Sequence, residues 1–376
     1  MKYLFRIIAI VTSFLLLFAA YGGRVDPSIW TLPSMATLAL PVVAAVALAL
    51  LLLMALFRQW RAAVILVGAF CLSWPTLRLI SPVNLINPKP EEDKINLKVL
   101  TMNVTEFNWR QGNHPSKNMR YILDQDADIV VIQEGLVYFS FEYLETVKPM
   151  LEELYKKYPY RKKHFYDVGI LSKYPFEEVQ SPVLAEGSLN YFIKAWDVDA
   201  PGGNVRVINM HLSSLRMTNN DRIILDSMNV PSGRKKRIKS VMNKLDNGFL
   251  SHVPQAKAIR ELLDQTDGDV LVMGDMNDTP GSYAYRTIST DGAVGIGTRC
   301  DMNDTPGSYA YRTICGDDMR DAWADTGLGP TYTFYNYHLY VKIDHILYRG
   351  GMKPLYCRRD KKGESDHYPL VAEFQR

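Results

Sequence analysis

The first 80 or so residues are almost continuously apolar, whereas the rest of the chain is not. Three apolar runs follow one another: Leu4–Ala20, Met35–Phe57 and Ala62–Leu77. A membrane-spanning helix needs roughly 20 residues, and each run approaches that length, the third only marginally. Buried core helices can be as apolar, but three such runs in succession with so few charges favour the membrane. We therefore expect a transmembrane region of about three helices over residues 1–85.

From Leu97 onward the pattern changes to short apolar runs with alternating polar positions. Runs of this kind are typical of strands, and the spacing of apolar residues in Pro254–Gln265 predicts a helix with proline in its first turn. Residues 86–96, which contain Asn87–Glu92, form a polar linker interrupted by proline. Strands and helices that alternate in this way indicate a mixed α/β sandwich over residues 97–376. The predicted strands are Leu97–Val104, Asp128–Glu134, Val168–Ser172, Tyr191–Val198, Val205–Leu212, Val270–Met273, Lys342–Tyr348 and Leu370–Phe374.

The distribution of positive charge predicts how the apolar runs lie in a membrane. Lys2 and Arg6 precede the first run, and Arg58 and Arg61 separate the second from the third. By the positive-inside rule, the N-terminus and the second loop are cytoplasmic. Three spans then place residues 97–376 on the exterior or periplasmic side of the plasma (inner) membrane. A cleaved signal peptide in place of the first span gives the same result.

The charge of the exported part limits the partners it can have. Residues 91–376 hold 36 basic and 39 acidic residues, so this part is slightly acidic. Proteins that bind long nucleic acids usually carry a basic surface, and here only Arg234–Arg237 with Lys239 forms a basic cluster. That cluster is more typical of a solvated or membrane-facing loop. The four cysteines do not make a disulfide framework in a domain of this size, and no obligate protein partner is evident.

Several predicted strands end in polar side chains that can bind ligands. The run Val270–Met273 is followed by Gly-Asp-Met-Asn-Asp, which places Asp275 and Asn277 at a strand end. Residues two apart in an extended chain point to the same side, so these side chains can reach one phosphate or one hard cation. An Asx-turn that merely closes the strand is the structural alternative. Strand ends of this kind gather at one mouth of an α/β sheet, where sites are commonly built.

A segment of the chain that includes this strand end is repeated. Asp275–Ile288 recurs letter for letter at Asp301–Ile314, a period of 26 residues. Two copies do not make a repeat architecture, and a duplication is more plausible than a second active site. The first copy follows an apolar run, whereas two glycines lie in the segment before the second. We expect Asp275 and Asn277 in the site and Asp301 and Asn303 in a surface excursion, whereas the copy that supplies the following helix stays open.

Seven short motifs together resemble the endonuclease/exonuclease/phosphatase superfamily. They occur in the order of that family and span residues 97–376. The resemblance implies a four-layer α/β sandwich of two mixed β-sheets flanked by helices, a divalent metal, usually Mg²⁺ with Mn²⁺ as an alternative, and phosphoester hydrolysis. It does not imply one substrate. The motifs are N-V at 103, Q-E at 133, GILSKYPF at 169, N-x-H-L at 209, GDMND at 274, IDHIL at 343 and SDHYP at 365.

The resemblance also implies a metal site. Glu134 corresponds to the principal metal ligand, with Asn103 beside it. Mg²⁺ prefers carboxylate oxygens and keeps several waters, which agrees with a glutamate as the anchor. Asp366 is expected on the metal side of the site or behind the ligands.

The catalytic residues implied by the resemblance surround the phosphate. Asp275 is expected to orient or deprotonate the attacking water, while Asn277 and His211 hold non-bridging phosphate oxygens. His367 faces the phosphate, where it either stabilises charge or places the water, and Asp344 holds the imidazole of His367 in one tautomer.

Two departures from the family pattern narrow the expected function. Nuclease members often carry an acidic residue two positions after the strand-end asparagine, where this chain has Thr105. The N-x-H-L motif is closer to the sphingomyelinase, inositol-phosphatase and deadenylase branch. We therefore expect a membrane-anchored, metal-dependent phosphoesterase that acts outside the cytoplasm on lipid headgroups, nucleotides or nucleic-acid fragments. The alternatives are an exported nuclease and a catalytically silent phosphate-binding domain.

Overall fold

The structure is a computed structural model of the whole chain. The repeat's second copy, with Asp301 and Asn303, lies outside the residues that the structure describes. The described residues are 2–86, 88–107, 116–135, 147–163, 167–185, 189–215, 234–289, 319–336 and 340–376.

The N-terminal region consists of apolar helices packed on one another. By length and composition, two segments can cross a membrane, Lys2–Arg24 and Trp60–Ile80. A bent pair of helices between them makes a third crossing if it counts as one span. The helices are α1 (Lys2–Tyr21), α2 (Leu32–Leu38), α3 (Leu40–Leu56) and α4 (Trp60–Ile80), with a 3-10 turn at Gly22–Arg24.

The second predicted apolar run is not one continuous helix. The chain bends by 62° between α2 and α3, at Ala39. Pro41 lies in the first turn of α3, where it lacks an N–H and its ring excludes a carbonyl of the preceding turn. Pro41, six residues after the start of the run, therefore divides it, although the composition of the run alone does not reveal the break.

Helices α1 and α4 run parallel. Near their C-terminal ends, Thr76 Oγ1 donates to Ala20 O (2.8 Å) and Tyr21 Oη donates to Leu72 O (2.6 Å). At the other end of the bundle, the rings of Phe5 and Phe57 lie 6.0 Å apart. Because α1 and α4 run in the same direction, α2 and α3 together bring the chain back between them.

The remainder of the chain contains two six-stranded sheets. Each sheet is mixed, with one parallel pair at its centre: β1 with β2, and β7 with β8. The first sheet has the order β11-β12-β1-β2-β4-β3 and the second β5-β6-β7-β8-β10-β9. The strands are β1 (Asn96–Asn103), β2 (Ile129–Gln133), β3 (Tyr160–Lys163), β4 (Val168–Ser172), β5 (Phe176–Glu178), β6 (Ile193–Ala200), β7 (Gly203–His211), β8 (Asp269–Asp275), β9 (Arg320–Asp321), β10 (Asp344–Arg349), β11 (Lys353–Arg359) and β12 (Leu370–Gln375).

The sheets pack face to face, and helices cover their outer faces. Val131 and Leu271 belong to the apolar layer between the sheets, and Trp196 is the largest side chain buried in it. Two helices bury Ile122 and Leu154 against the first sheet, and others bury Ile259 and Ile288 against the second. The predicted four-layer α/β sandwich is therefore confirmed. The helices are α5 (Lys117–Gln125), α6 (Lys148–Lys157), α7 (Pro182–Ala185), α8 (Leu189–Phe192), α9 (Arg234–Asp264), α10 (Tyr283–Ser289) and α11 (Ala322–Thr326).

One helix boundary differs from its prediction. Pro254 was expected in the first turn of a helix, but it lies inside α9, which begins 20 residues earlier at Arg234 and is 31 residues long. Proline inside a helix removes one backbone hydrogen bond, and tertiary packing compensates here because Phe249, Val253 and Ala256 are buried. The basic cluster expected in a loop forms the first turns of this helix.

Candidate active site

The predicted polar residues meet at one edge of the two sheets, which we call the site edge. It is the edge at which the parallel strands β7 and β8 end, at His211 and Asp275, and at which β10 begins, at Asp344. The strands β1 and β2 of the first sheet end beside it, at Asn103 and Gln133. The opposite edge, where β8 begins at Asp269, is the far edge.

Asp275 uses its two carboxylate oxygens differently. Oδ1 accepts the Asn277 N–H (2.8 Å), which is the predicted Asx-turn. Oδ2 faces the site and accepts from Asn103 Nδ2 (3.2 Å). The turn and the site are therefore compatible. Asn277 has a left-handed backbone (φ 50°), and its Nδ2 donates to Leu212 O (2.8 Å), which leaves its second amide hydrogen for a ligand.

A glycine allows β7 and β8 to approach closely just before the site. Gly274 has φ 139°, and a Cβ built on it would lie 2.0 Å from Met210 O. Any side chain would therefore push the end of β8 away from β7. This close contact holds Asp275 beside His211.

Glu134 directly follows β2 and has a left-handed backbone (φ 56°). A non-glycine residue in this conformation costs free energy, and such positions concentrate at functional sites. Asn103 Nδ2 donates to Glu134 Oε1 (2.9 Å) and also to Asp275, so this amide holds two carboxylates together. Its Oδ1 accepts the Thr105 N–H (3.1 Å). The predicted role of Asn103 as a direct metal ligand stays a prediction.

His367 forms the predicted dyad with Asp344. Its Nδ1 lies 3.0 Å from Asp344 Oδ2, and its Nε2 points to Asp275 Oδ2 at 3.7 Å. The backbone of Asp344 is fixed because its N–H donates to Thr333 Oγ1 (3.0 Å). Within the described part of the chain, the buried Asp344 Oδ1 has no hydrogen-bond partner, so it can accept from a ligand or a metal-bound water.

His211 forms a second dyad, with a residue that the sequence analysis did not identify. The partner of His211 Nδ1 is the carboxylate of Asp167, and His211 Nε2 points to Asp275 Oδ2 (3.7 Å) and Glu134 Oε1 (3.8 Å). Asp167 also accepts the Glu134 N–H through its backbone oxygen (3.0 Å). It lies just before β4, which pairs antiparallel with β2, so β4 begins where β2 ends. That pairing is the signal that identifies Asp167.

Asp275 Oδ2 is therefore flanked by two imidazoles, each backed by its own carboxylate. Burial alone would lower the pKa of both histidines, but neighbouring carboxylates outweigh it: Asp167 and Asp275 raise the pKa of His211 to about 9, and Asp344 and Asp275 raise that of His367 to about 10. Burial raises the pKa of Asp275, while the two imidazoliums favour its ionised form. At neutral pH the site holds one carboxylate between two cations.

Asp366 lies at the side of this arrangement. Its Oδ1 accepts from Thr105 Oγ1 (3.0 Å) and its Oδ2 from Asn336 Nδ2 (2.8 Å). Thr105 replaces the acidic residue of the nucleases, and here it ties Asp366 and Ser365 to the end of β1. Both carboxylate oxygens are hydrogen-bonded within the chain, and the expected position of Asp366, on the metal side or behind the ligands, stays a prediction.

Two donor sets at the site can hold a metal. Asp275, Asp344 and His367 offer ligand atoms within 4.8 Å of one another, and all three residues are buried. Glu134 is different, because about a third of its side chain is exposed, so it can bind an ion that keeps several waters. Mg²⁺ prefers oxygen ligands and retains water, which favours Glu134 as its anchor.

One asparagine and one histidine of the motifs, Asn209 and His345, stabilise the fold rather than face the site. Asn209 connects the two sheets: its Oδ1 accepts from Gln133 Nε2 (2.7 Å), and its Nδ2 donates to Ile132 O and Gly169 O. His345 points away from the site and contacts Asp321, which also accepts from Lys342 Nζ (2.8 Å).

The first copy of the repeat supplies the helix that follows the site, a question that the sequence left open. In α10, the Tyr285 hydroxyl donates to Asp321 (3.2 Å), and Ile288 is fully buried. Beyond it, Met319 N–H donates to Ser289 O (3.0 Å). This bond joins the two ends of the segment that contains the second copy.

Comparison with known proteins agrees with this geometry. Residues 109–367 match the model of the Endonuclease/Exonuclease/phosphatase family, and residues 2–80 match a family described as Domain of unknown function (DUF8431). A search of curated proteins found no match.

Several solved structures are similar in fold. A humanised TDP2 from D. rerio is 14% identical, with 74% of this chain and 98% of that chain covered and a TM-score of 0.44. ANGEL2, described as a 2',3'-cyclic phosphatase, is 15% identical over 78% and 99% of the two chains (TM-score 0.42). An endonuclease/exonuclease/phosphatase from Bacteroides vulgatus is 16% identical over 75% and 99% (TM-score 0.41).

At such identities and scores, the assignment rests on the family model, which covers more than half of the chain. The chain therefore belongs to the Endonuclease/Exonuclease/phosphatase family, and with it to the metal-dependent phosphoesterases.

Proposed function

We propose that the chain is a membrane-anchored, Mg²⁺-dependent phosphoesterase that acts outside the cytoplasm. The proposal divides it into a membrane region (1–85), a linker (86–96) and a catalytic domain (97–376). The observation that carries the catalytic part is the buried carboxylate of Asp275 between two imidazoles, each held by its own acidic partner. A domain that only binds phosphate would use the two imidazoles but not the carboxylate between them, because that carboxylate repels the anion.

The proposed roles follow from the charges at the site. Asp275 accepts a proton from the attacking water, whose oxygen bonds to phosphorus. The imidazoliums of His211 and His367, with the second amide hydrogen of Asn277, neutralise the non-bridging oxygens as charge builds on them. The ester bond to the leaving oxygen breaks, and a proton from solvent completes the alcohol.

Residues behind these groups fix their geometry. Asp344 and Asp167 each accept from the Nδ1–H of a histidine and so aim its Nε2–H at the site. A divalent ion anchored by Glu134, with Asn103 and Asp366 beside it, would stabilise negative charge on the phosphate and favour ionisation of the water.

The experiment that tests this proposal compares single variants of the full chain on bis(p-nitrophenyl) phosphate with and without Mg²⁺. Glu134→Ala and His367→Ala are each expected to lose on the order of a hundredfold or more in rate, because each removes a group that serves charge arising in the reaction. Glu153→Ala is the control, since Glu153 is an exposed carboxylate on α6 that pairs with Arg120, outside the site. Near wild-type turnover by folded Glu134→Ala would refute the assignment.

Two alternative functions remain, an exported nuclease and a catalytically silent phosphate-binding domain. An exported nuclease would lose binding to DNA steeply as salt rises, because phosphate contacts release counterions. A silent binding domain would hydrolyse none of the phosphomonoesters and phosphodiesters in a broad panel.

A further inference from the structure

The helical bundle contacts the sandwich directly. The 3-10 turn after α1 packs on α10: a Cβ built on Gly23 would lie 2.0 Å from Gly281 O. Thr76 of α4 accepts from Arg286 Nη2 of α10 (2.9 Å). These contacts fix the direction in which the bundle leaves the sandwich.

Helix α9 runs past the site edge, so contacts with its residues show on which side of the sandwich the bundle lies. His252 is level with the site edge, since its Nε2 lies 2.7 Å from Ser213 O, two residues beyond the end of β7. After His252, α9 descends towards the far edge, and β8 starts there five residues after its end. The residues of α9 before His252 therefore extend beyond the site edge.

The loop between α1 and α2 runs along α9, from the far-edge side of His252 to beyond the site edge. Asp26 binds Lys257 Nζ (3.1 Å), which lies on the far-edge side of His252. Five residues later, Thr31 Oγ1 donates to Asp246, which lies beyond the site edge. The chain therefore enters α2 on the outer side of the site edge.

Helix α4 gives the same direction independently. Thr76 meets α10 just after the site loop, and Arg78 then pairs with Asp325 (3.5 Å). Asp325 also accepts from the Tyr348 hydroxyl (2.7 Å), four residues along β10 from Asp344 towards the far edge. Helix α4 thus ends pointing to the far edge. Its start at Trp60, about 24 Å from Thr76 at 1.5 Å per residue, lies beyond the site edge.

We propose that the active site opens towards the bilayer that holds α1 and α4, and that it hydrolyses phosphoester headgroups of lipids in that same bilayer. The proposal rests on the proposed function and names the substrate class of that site. The helices that can span a membrane rise past the site edge rather than the far edge, so the mouth of the site and the membrane lie on the same side of the sandwich.

The surface beyond the site edge fits a headgroup layer. The exposed Lys235, Lys236 and Lys239 lie in the first turns of α9, on the side to which the bundle rises. They attract anionic headgroups, although the domain as a whole is slightly acidic. Ile29 and Trp30, next to Thr31, are also exposed, and Trp30 packs on Phe18 of α1 (5.9 Å between rings). Tryptophan at such a position is typical of a membrane interface.

The orientation can be tested without activity. The full chain, with Cys71, Cys300 and Cys315 changed to serine and the buried Cys357 retained, is given one exposed cysteine. It is placed near one or the other end of β7, as Ser214→Cys or Asn204→Cys, and labelled with a fluorophore. Both positions are exposed, and they are about 33 Å apart along an extended chain. In vesicles of phosphatidylethanolamine and phosphatidylglycerol with headgroup spin labels, we expect quenching at position 214 and little at 204. Equal quenching, or stronger quenching at 204, would overturn the orientation.

The substrate class is tested by where the lipid is. The reconstituted chain is supplied with phosphatidylglycerol, phosphatidic acid and sphingomyelin, either in its own vesicles or in separate protein-free vesicles, and with bis(p-nitrophenyl) phosphate in solution. Because sharing a bilayer raises the effective concentration, lipid hydrolysis should be at least about tenfold faster in the shared vesicles. Hydrolysis of the soluble ester with no lipid hydrolysed would refute this inference alone. Hydrolysis of neither would refute the proposed function instead.

Variants of the contact between bundle and sandwich complete the test. Gly23→Val should lower lipid hydrolysis and leave hydrolysis of the soluble ester unchanged, because its side chain would meet the backbone of Gly281. Gly68→Val is the matched control, since a Cβ on that glycine of α4 meets nothing within 4 Å in the described residues. If Gly23→Val does not fold, Asp26→Ala with Lys257→Ala weakens the same contact more gently. Lipid hydrolysis that is unchanged in both would contradict the proposal.

Discussion

At the scale of single residues, the site is organised by the cost of burying Asp275. An ionised carboxylate is expensive to bury unless it is hydrogen-bonded and paired. Here Asn103, the Asn277 N–H and two imidazoles surround it, and those imidazoles are balanced in turn by Asp167 and Asp344. With Glu134 included, four carboxylates and two imidazoliums meet at the site, and Asp366 lies beside them, so acidic groups are in excess. A divalent cation balances that charge.

The first prediction concerns Asp167. Asparagine keeps the size of the side chain but presents an N–H to His211 Nδ1, which disfavours the imidazolium. We expect Asp167→Asn to lower kcat by about 10–100-fold, the usual cost of losing a partner that orients a catalytic group. The alkaline limb of the pH–rate profile should also move to lower pH, because Asp167 is one of the groups that raise the pKa of His211.

A matched control separates this role from a general effect on folding. Asp124 is an exposed carboxylate on α5, and Asp124→Asn should leave both kcat and the pH profile unchanged. Asp167→Glu keeps the charge and should recover part of the rate. An unshifted alkaline limb in Asp167→Asn would show that Asp167 does not hold the charge of His211.

The second prediction concerns stability as a function of pH in the metal-free chain. The pKa of His367 is about 10 in the folded chain, against about 6.5 when unfolded. A group whose pKa is raised on folding contributes stability that is complete below its unfolded pKa and is lost as pH rises through its folded pKa. The thermal midpoint in detergent should therefore fall between pH 6.5 and 10, and less steeply in His367→Gln. If the thermal midpoints of the wild type and His367→Gln fell equally with pH, His367 would not be protonated in the folded chain.

At the scale of elements, the sequence predicted what an apolar pattern can encode. The central strands β1, β2, β7 and β8 are buried on both faces, so their continuous apolar runs are distinctive. The short edge strands β3, β5 and β9 have two to four residues each and no such pattern. A local sequence pattern also does not show which strands pair with each other. This explains why Asp167, which reaches the site only because β4 pairs with β2, was missed, whereas the strand-end residues Asn103, His211 and Asp275 were found.

The third prediction concerns the duplicated segment. Asn277 lies at the site, so Asn277→Ala should be inactive, and Asn303→Ala, in the second copy, should be nearly normal. Residues 275–300 and 289–314 are equivalent deletions, because both leave the same shortened chain. The bond between Ser289 O and Met319 N (3.0 Å) shows that the ends of the excursion are already adjacent. In the shortened chain Cys315 takes the position of Ser289, and the three residues 316–318 close the loop to Met319. Deletion should preserve or improve activity and thermal midpoint. A dead Asn303→Ala with an active Asn277→Ala would mean that the second copy carries the site.

At the scale of the whole molecule, the parallel course of α1 and α4 decides the topology. Two parallel helices that cross a membrane require a return crossing, which α2 and α3 supply despite their bend. The proposed membrane anchor therefore implies three crossings, an odd number, which would put the catalytic domain and the N-terminus on opposite sides. The contact of Phe5 with Phe57 places the basic residues Arg58 and Arg61 at the same end of the bundle as Lys2 and Arg6. All four charges therefore favour one side, the cytoplasmic side by the positive-inside rule.

The last prediction follows from this topology. An alkaline phosphatase fused after Pro90 should be active, because that enzyme folds only where its disulfides form, and a green fluorescent protein fused at the same position should be dark. Fusions after Gln59, between α3 and α4, serve as the matched control and should show the opposite pattern, since this loop lies at the basic end of the bundle. If the fusion after Pro90 fluoresces and alkaline phosphatase fused after Gln59 is active, the catalytic domain is cytoplasmic and the predicted topology is wrong. Because α1 and α4 are parallel, the bundle would then still cross three times, but in the opposite direction, with the N-terminus outside. The lipids within reach of the site would be those of the inner leaflet, because the mouth faces the bundle's membrane in either orientation.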